Sequence, residues 1–68
     1  MKYTYCLVNE NNDVVLETED INKVNNYMIY NGIDYTVDYV MQKNFGAYQC
    51  FITNFTNGCS LWVKIEER

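Results

Sequence analysis

The sequence predicts a small α+β domain in which one helix packs on one face of an antiparallel sheet of about five strands, in ββαβββ order. Three observations predict it: strand-like alternation after residue 35, two glycine-containing turns, and one segment with helical spacing between short β-rich runs. Because the 68 residues contain no proline and no repeat or linker, we expect a single domain spanning residues 1–68.

The first hairpin is predicted from two runs rich in β-forming residues, 3–8 and 14–18, that flank the polar stretch 9–13. If Asn11 and Asn12 form the turn, one face of this hairpin carries Tyr5, Leu7, Val14 and Leu16.

The single helix is predicted over residues 21–31. Asp20 is a good N-cap, and Ile21, Val24 and Met28 recur at helical spacing. Gly32 is the expected left-handed residue after the helix, and Ile33 stands where a Schellman cap would fold it back on the last turn.

The last three strands are predicted from Tyr35 onward by alternation and by two turns. A type I turn over residues 43–46 pairs Met41 with Tyr48, Tyr39 with Cys50, and Val37 with Ile52. A two-residue turn at Asn57-Gly58 pairs Ile52 with Val63, Cys50 with Ile65, and Asn54 with Leu61. The helix should then cover one apolar face, made of Val37, Tyr39, Cys50, Ile52, Leu61, Val63 and Ile65.

The same register places three aromatic side chains, Phe51, Phe55 and Trp62, on the face away from the helix, with Val40 and Asp38 beside them. An aromatic cluster on a sheet face that would face solvent predicts a surface for a partner. Three alternatives stay open: inverted faces or a curled sheet that tucks Trp62 into a second small core, a homodimer interface, and base stacking. Base stacking needs a basic surround, and only Lys64 lies nearby.

Acidic residues form a second candidate surface, because the net charge is −4 and most carboxylates precede residue 39. We predict that Glu17, Glu19, Asp20 and Asp34 steer the protein toward a basic partner. The alternative is an ordinary solvated acidic face. Nucleic-acid binding is disfavoured, since it depends on clustered Lys and Arg.

Catalytic groups are scarce in this sequence. It has no histidine and one serine, and Cys6, Cys50 and Cys59 lack the spacing of a metal or redox motif. We therefore expect no enzyme activity, no cofactor and no metal site. An acidic cluster before a helix is better explained by capping than by metal binding. Without a signal peptide or a membrane segment, we expect a cytoplasmic protein with reduced thiols and no membrane partner.

In size and composition, the chain looks like the small acidic proteins that phages and mobile elements of AT-rich bacteria encode. Many of those bind and block a host protein, and they include anti-CRISPR and anti-restriction inhibitors. The resemblance implies a protein-binding inhibitor or modulator, with a nucleic-acid-handling enzyme as a possible target. The alternatives are a homo-oligomeric structural or assembly protein and a small nucleic-acid-binding protein.

Overall fold

A computed structural model describes residues 1–31 and 35–67, and it confirms the α+β class and the ββαβββ order. The elements are β1 Lys2–Val8, β2 Val14–Thr18, α1 Ile21–Asn31, β3 Val37–Asn44, β4 Tyr48–Phe55 and β5 Ser60–Glu66. All five strands form one antiparallel sheet in the order β2-β1-β5-β4-β3. Strands β2 and β3 are its two edges.

Helix α1 has the predicted bounds. Asp20 is the N-cap: its Oδ1 accepts a hydrogen bond from the Asn22 amide at 2.9 Å, and its carbonyl accepts one from the Lys23 amide at 3.1 Å. The predicted stop signal, Gly32 and Ile33, lies outside the described residues.

The first hairpin has the predicted pairing over most of its length, with Leu7 opposite Leu16. A bulge between Leu7 and Val8 then places Val14 opposite Val8. The expectation that Val14 shares the Leu7 face is therefore wrong, because one extra residue in a strand reverses the side on which the following side chains point.

The turn between β3 and β4 lies two residues later than predicted. The Phe45 amide bonds the Tyr48 carbonyl at 3.0 Å, and Gly46 between them has a φ of 80°. Met41 therefore pairs with Ile52 and not with Tyr48. Because this shift is even, Met41 still shares a face with Ile52, as expected.

A second irregularity lies at the start of β3, where the register shifts between Val37 and Tyr39. Val37 pairs with Phe55, and Tyr39 pairs with Asn54. Since these partners are neighbours on β4, Val37 and Tyr39 do not share a face, contrary to the prediction.

The turn between β4 and β5 decides the faces of the sheet. The Phe55 amide bonds the Cys59 carbonyl at 2.9 Å, so Asn57 and Gly58 belong to a three-residue loop, in which Gly58 has a φ of 92°. The prediction of a two-residue turn is wrong by one position, and Ile52 pairs with Trp62 instead of Val63. A slip of one residue reverses the faces of β4 relative to those of β5: the β5 side chains lie on their predicted faces, and the β4 side chains lie on the opposite ones.

The sheet thus has two faces, which we call the helix face and the groove face. The helix face carries Leu7, Leu16, Phe51, Thr53, Leu61, Val63 and Ile65; the groove face carries Cys6, Val8, Val14, Tyr39, Met41, Tyr48, Cys50, Ile52, Trp62 and Lys64. The apolar set that we expected under the helix is divided between them. Leu61, Val63 and Ile65 lie on the helix face, whereas Tyr39, Cys50 and Ile52 lie on the groove face.

Helix α1 lies over β1 and β2 only, within residues 1–31 and 35–67. Val24 of the helix has an exposed fraction of 0%, and Leu7 of β1 has 1%. These two side chains are the centre of the core on the helix face.

Candidate functional site

An open groove of about 570 Å³ lies on the groove face, on the side of the sheet away from α1. Most of its lining is apolar or aromatic: Cys6, Val8, Asn12, Val14, Met41, Phe45, Tyr48, Cys50, Ile52, Asn54, Ser60, Trp62 and Lys64. Its volume and apolar lining are those of sites that bind small ligands or single side chains of a partner.

The floor of the groove is Ile52, which has an exposed fraction of 1%, with Cys50 beside it on β4. Trp62 lies opposite Ile52 on one side and opposite Cys6 on the other. The indole is half-buried, and its Nε1 donates to Ser60 Oγ at 3.1 Å. Trp62 therefore helps to cover a second small core while it lines the groove.

Two lysines stand next to aromatic rings at the β3–β4 end of this face. Lys64 Nζ is 4.4 Å from the centroid of the Tyr48 ring, and Lys43 Nζ is 6.0 Å from that of Trp62. Phe45 stacks on Tyr48 with 5.1 Å between the ring centroids. Lys64 is also 3.8 Å from Glu66 Oε1. This end is cationic and aromatic, and Lys43 adds a second charge to the one expected from the sequence.

The β2 edge of this face carries an acid. Glu17 pairs with Cys6 across the β1–β2 ladder, and the Cys6 thiol donates to Glu17 Oε1 at 3.7 Å. Burial, together with the neighbouring Glu17 carboxylate, raises the pKa of Cys6. The thiol is consequently protonated at neutral pH and is a poor nucleophile.

Asn54 supplies a polar group at the wall of the groove. Its Nδ2 is shielded from solvent and has no hydrogen-bond partner among residues 1–31 and 35–67. A buried donor of this kind is costly to leave unpaired, so an acceptor on a bound partner would relieve it.

The predicted aromatic cluster does not form. Trp62 lies on the groove face, whereas Phe51 and Phe55 lie on the helix face, because of the one-residue difference in the β4–β5 turn. Phe55 is buried, with an exposed fraction of 7%, and packs edge-on against Tyr35 with 5.2 Å between ring centroids.

The two residues predicted to flank that cluster are both exposed. Val40 is on the helix face opposite Thr53, with an exposed fraction of 58%. Asp38 lies at the bulge near the start of β3. Neither lines the groove with Trp62.

The acidic residues lie close together in sequence where β2 leads into α1. Glu17 is exposed and holds the Cys6 thiol, Glu19 is exposed, and Asp20 caps the helix. Asp34 lies outside the described residues. The predicted acidic surface is thus at the β2 edge of the sheet, and one of its members has a structural role.

Apart from Trp62, the residues that line the groove were not predicted as part of a site. A signal that could have found two of them is Gly46, whose place in the centre of a tight turn brings Phe45 and Tyr48 together.

Cys6, Cys50 and Cys59 are free thiols. In the part of the chain that the structure describes, His, Cys, Asp and Glu side chains nowhere gather in a group of three that could bind a metal ion. No helix among the described residues is long and apolar enough to cross a membrane. No protein-family model, curated protein or solved structure matches this chain.

Proposed function

We propose that this chain is a non-enzymatic protein-binding module, whose groove receives an apolar side chain of a partner protein. The observation that carries the proposal is the groove itself: an apolar hollow of about 570 Å³ with a half-buried tryptophan over a buried isoleucine. Binding energy at protein interfaces concentrates at such pockets, where one anchor is fully desolvated.

The charges around the groove define the chemistry of the partner segment. Glu17 lies on the β2 edge of the groove face, near Glu19 and Asp20 in sequence, whereas Lys43 lies on the β3 edge and Lys64 lies on β5 between the two edges. We expect an apolar anchor with a basic residue on the side toward β2. The net charge of −4 would speed the approach of such a basic partner.

A narrower form of the proposal is a cytoplasmic inhibitor of the kind that phages and mobile elements encode, acting on a nucleic-acid-handling host enzyme such as a CRISPR or restriction effector. Its support is the short acidic chain, the free thiols and the scarcity of catalytic side chains. The basic channel of such an enzyme has the charge that Glu17, Glu19 and Asp20 would select.

The partner can be sought by photo-crosslinking from the groove. A benzophenone side chain at Phe45, which lines the groove with an exposed fraction of 48%, is compared with one at Tyr30, which has 93% and lies on α1. A partner of the groove should crosslink from position 45 and not from position 30. The captured protein is then purified and titrated against the unmodified chain, with Trp62 fluorescence as the signal.

Two neighbouring valines give a matched test of that titration. Val14→Lys puts a cation on the groove wall and should weaken binding about tenfold or more, whereas Val15→Lys, one residue away and outside the groove lining, should leave binding unchanged. Equal affinities of the two variants, or a Trp62 signal that does not change on binding, would place the contact elsewhere and overturn the proposal.

Nucleic-acid binding is the second candidate, and the observation in its favour is that Lys43 and Lys64 lie beside Trp62 and Tyr48. The net charge of −4 opposes it. A shift assay with single-stranded oligonucleotides at low and high salt distinguishes the two functions. Binding that weakens steeply with salt would support this candidate against the first.

A further inference from the structure

Strand β3 is an edge of the sheet and is poorly protected. All of its residues except Met41 are exposed, including the apolar Val37, Tyr39 and Val40. The bulge between Val37 and Tyr39 disrupts only its beginning, which leaves residues 39–44 as a regular run with a free edge. Such an edge is a template for another strand.

The hydrogen-bonding groups on this free edge can be assigned. The bond from the Phe45 amide to the Tyr48 carbonyl makes these two residues a hydrogen-bonded pair. Pairs alternate along an antiparallel ladder, so Lys43, Met41 and Tyr39 bond to β4, while the backbone groups of Asn44, Gln42 and Val40 point outward. Three amides and three carbonyls within the regular run are thus available to a partner strand.

Symmetry restricts how a second copy could supply that strand. Two copies of β3 that pair antiparallel are related by a two-fold axis perpendicular to the sheet, so the helix faces of both copies lie on the same side. Residues opposite each other must then belong to the same face of the chain. This condition is met only when one residue lies opposite its own copy at the axis.

Met41 and Gln42 are the two central residues of the regular run 39–44. An axis at Gln42 would set Lys43 diagonally across from its own copy on the same face, whereas an axis at Met41 keeps the two lysines apart. With the axis at Met41, Val40 pairs with Gln42 of the second copy and Tyr39 pairs with its Lys43, which forms four backbone hydrogen bonds.

Charge selects β3 over the other edge of the sheet. The β2 edge carries Glu17 and leads directly to Glu19 and Asp20, so two copies that met there would bring acids together. Strand β3 carries one acid, Asp38, and one base, Lys43. In the antiparallel arrangement about Met41, neither Asp38 nor Lys43 lies opposite a residue of the same charge, and Lys43 lies opposite Tyr39 of the second copy.

We propose that two copies of this chain pair antiparallel through β3, about an axis at Met41, to make one continuous sheet with five strands from each copy. The two grooves then lie side by side on the same face of that sheet. The pairing does not depend on the groove having a partner of its own, since Val40 and Gln42 bond through backbone groups only.

Hydrogen exchange tests the pairing at single residues. As concentration rises about a hundredfold, light scattering should show the mass doubling, and the amides of Val40 and Gln42 should change from fast to slow exchange. The amides of Met41 and Lys43 bond to β4 and should be slow at every concentration. A chain that stays monomeric throughout, or a dimer in which Val40 and Gln42 still exchange fast, would overturn the proposal.

A pair of substitutions at Gln42 provides the mutational test. Gln42→Pro removes an outward amide that β4 does not use, and an edge strand tolerates proline at such a position. It should abolish the dimer, whereas Gln42→Ala retains the amide and should dimerise like the unmodified chain. Circular dichroism checks that both variants are folded. A folded Gln42→Pro variant that dimerises as strongly as Gln42→Ala would contradict pairing through β3.

Discussion

The two faces of the sheet bury their centres by different means. On the helix face, Leu7 has an exposed fraction of 1% and lies under α1 beside Val24. On the groove face, Ile52 has the same exposed fraction of 1%, although α1 packs on the other side of the sheet. Its neighbours on the adjacent strands are Met41 and Trp62.

This difference shows that a second layer is not needed to exclude water from a residue in the middle of a twisted sheet. Long side chains on both flanking strands, such as Trp62 and Met41, can close over a smaller one between them. On the helix face, α1 covers the sheet with both its backbone and its side chains. The groove face is closed by side chains alone, and it therefore keeps a hollow that a partner could enter.

The largest expected effect compares the two centres directly. Leu7→Ala and Ile52→Ala should each lower the free energy of unfolding by about 2–5 kcal/mol, because both remove a fully buried aliphatic side chain. Urea denaturation followed by circular dichroism measures both. A cost below about 1 kcal/mol for Ile52→Ala would mean that its cover of side chains is loosely packed. If either alanine variant fails to fold, Ile52→Val should still cost about 0.5–1.5 kcal/mol.

The glycines of the β3–β4 and β4–β5 turns give the next effect. Gly46 and Gly58 both have positive φ, of 80° and 92°, so alanine at either should cost about 1–2 kcal/mol in backbone strain. A Cβ at Gly46 would meet nothing within 4 Å, whereas one at Gly58 would lie 3.1 Å from Glu10 Cβ. Gly58→Ala should therefore be the more destabilising of the two in thermal denaturation.

A second variant isolates the contact between Gly58 and Glu10, which lies in the turn between β1 and β2. Glu10→Gly removes the Cβ that Gly58→Ala would crowd, so in that background the cost of Gly58→Ala should fall toward that of Gly46→Ala. An unchanged cost would assign the whole effect to backbone strain.

The helix cap tests whether the two faces are independent. Asp20→Ala removes the acceptor of the Asn22 amide and should lower the free energy of unfolding by about 0.5–2 kcal/mol, while Asp20→Asn should be nearly neutral. The native fluorescence of Trp62, on the other face, should be the same in both variants. A shifted emission maximum would show that the groove depends on how firmly α1 is held.

The smallest effect is the pH dependence contributed by Cys6 on the groove face. Burial and the Glu17 carboxylate raise the folded-state pKa of this thiol above its ordinary value of 9.0. The protonated thiol is thus favoured by folding, and its contribution is fully present below pH 9.0 and is lost as pH rises through the folded-state pKa.

Cys6→Ser is the matched control, because a hydroxyl can still donate to Glu17 and does not titrate in this range. The difference in free energy of unfolding between the two proteins should be constant below pH 9.0. Above pH 9.0 the cysteine protein should lose stability relative to the Cys6→Ser variant. Urea midpoints at several pH values measure this difference. A difference that stays constant into alkaline pH would show that Cys6 has the same pKa folded and unfolded.

Local signals in the sequence predicted the element order and the bounds of α1 correctly. Asp20 and the spacing of Val24 are read within one or two helical turns, and the Leu7–Leu16 pairing follows from one short loop. The faces of the last two strands were not predictable in this way. Asn57-Gly58 occurs in two-residue and in three-residue hairpin loops, and the two choices differ by the single residue that decides which β4 side chains share a face with Trp62.

The site was predicted only in part for the same reason. Trp62 was identified as a candidate, but its predicted neighbours Phe51 and Phe55 are on the other face. The bulges near Val8 and Val37 also reverse the faces on which the neighbouring side chains lie. A bulge depends on how the whole sheet packs, and a single sequence contains little information about that.

The strand order has a consequence for the time course of folding. Strand β1 pairs with β5, so Lys2 meets Glu66 while β1–β2–α1 and β3–β4–β5 each form from neighbouring segments. Closing the long loop between β1 and β5 is the costly entropic step, and domains dominated by such pairings fold in about milliseconds to seconds. Substituting Leu61, which joins β5 to Leu7 of β1, should slow refolding in stopped-flow experiments more than it speeds unfolding. The opposite result would mean that the two halves associate after the barrier is crossed.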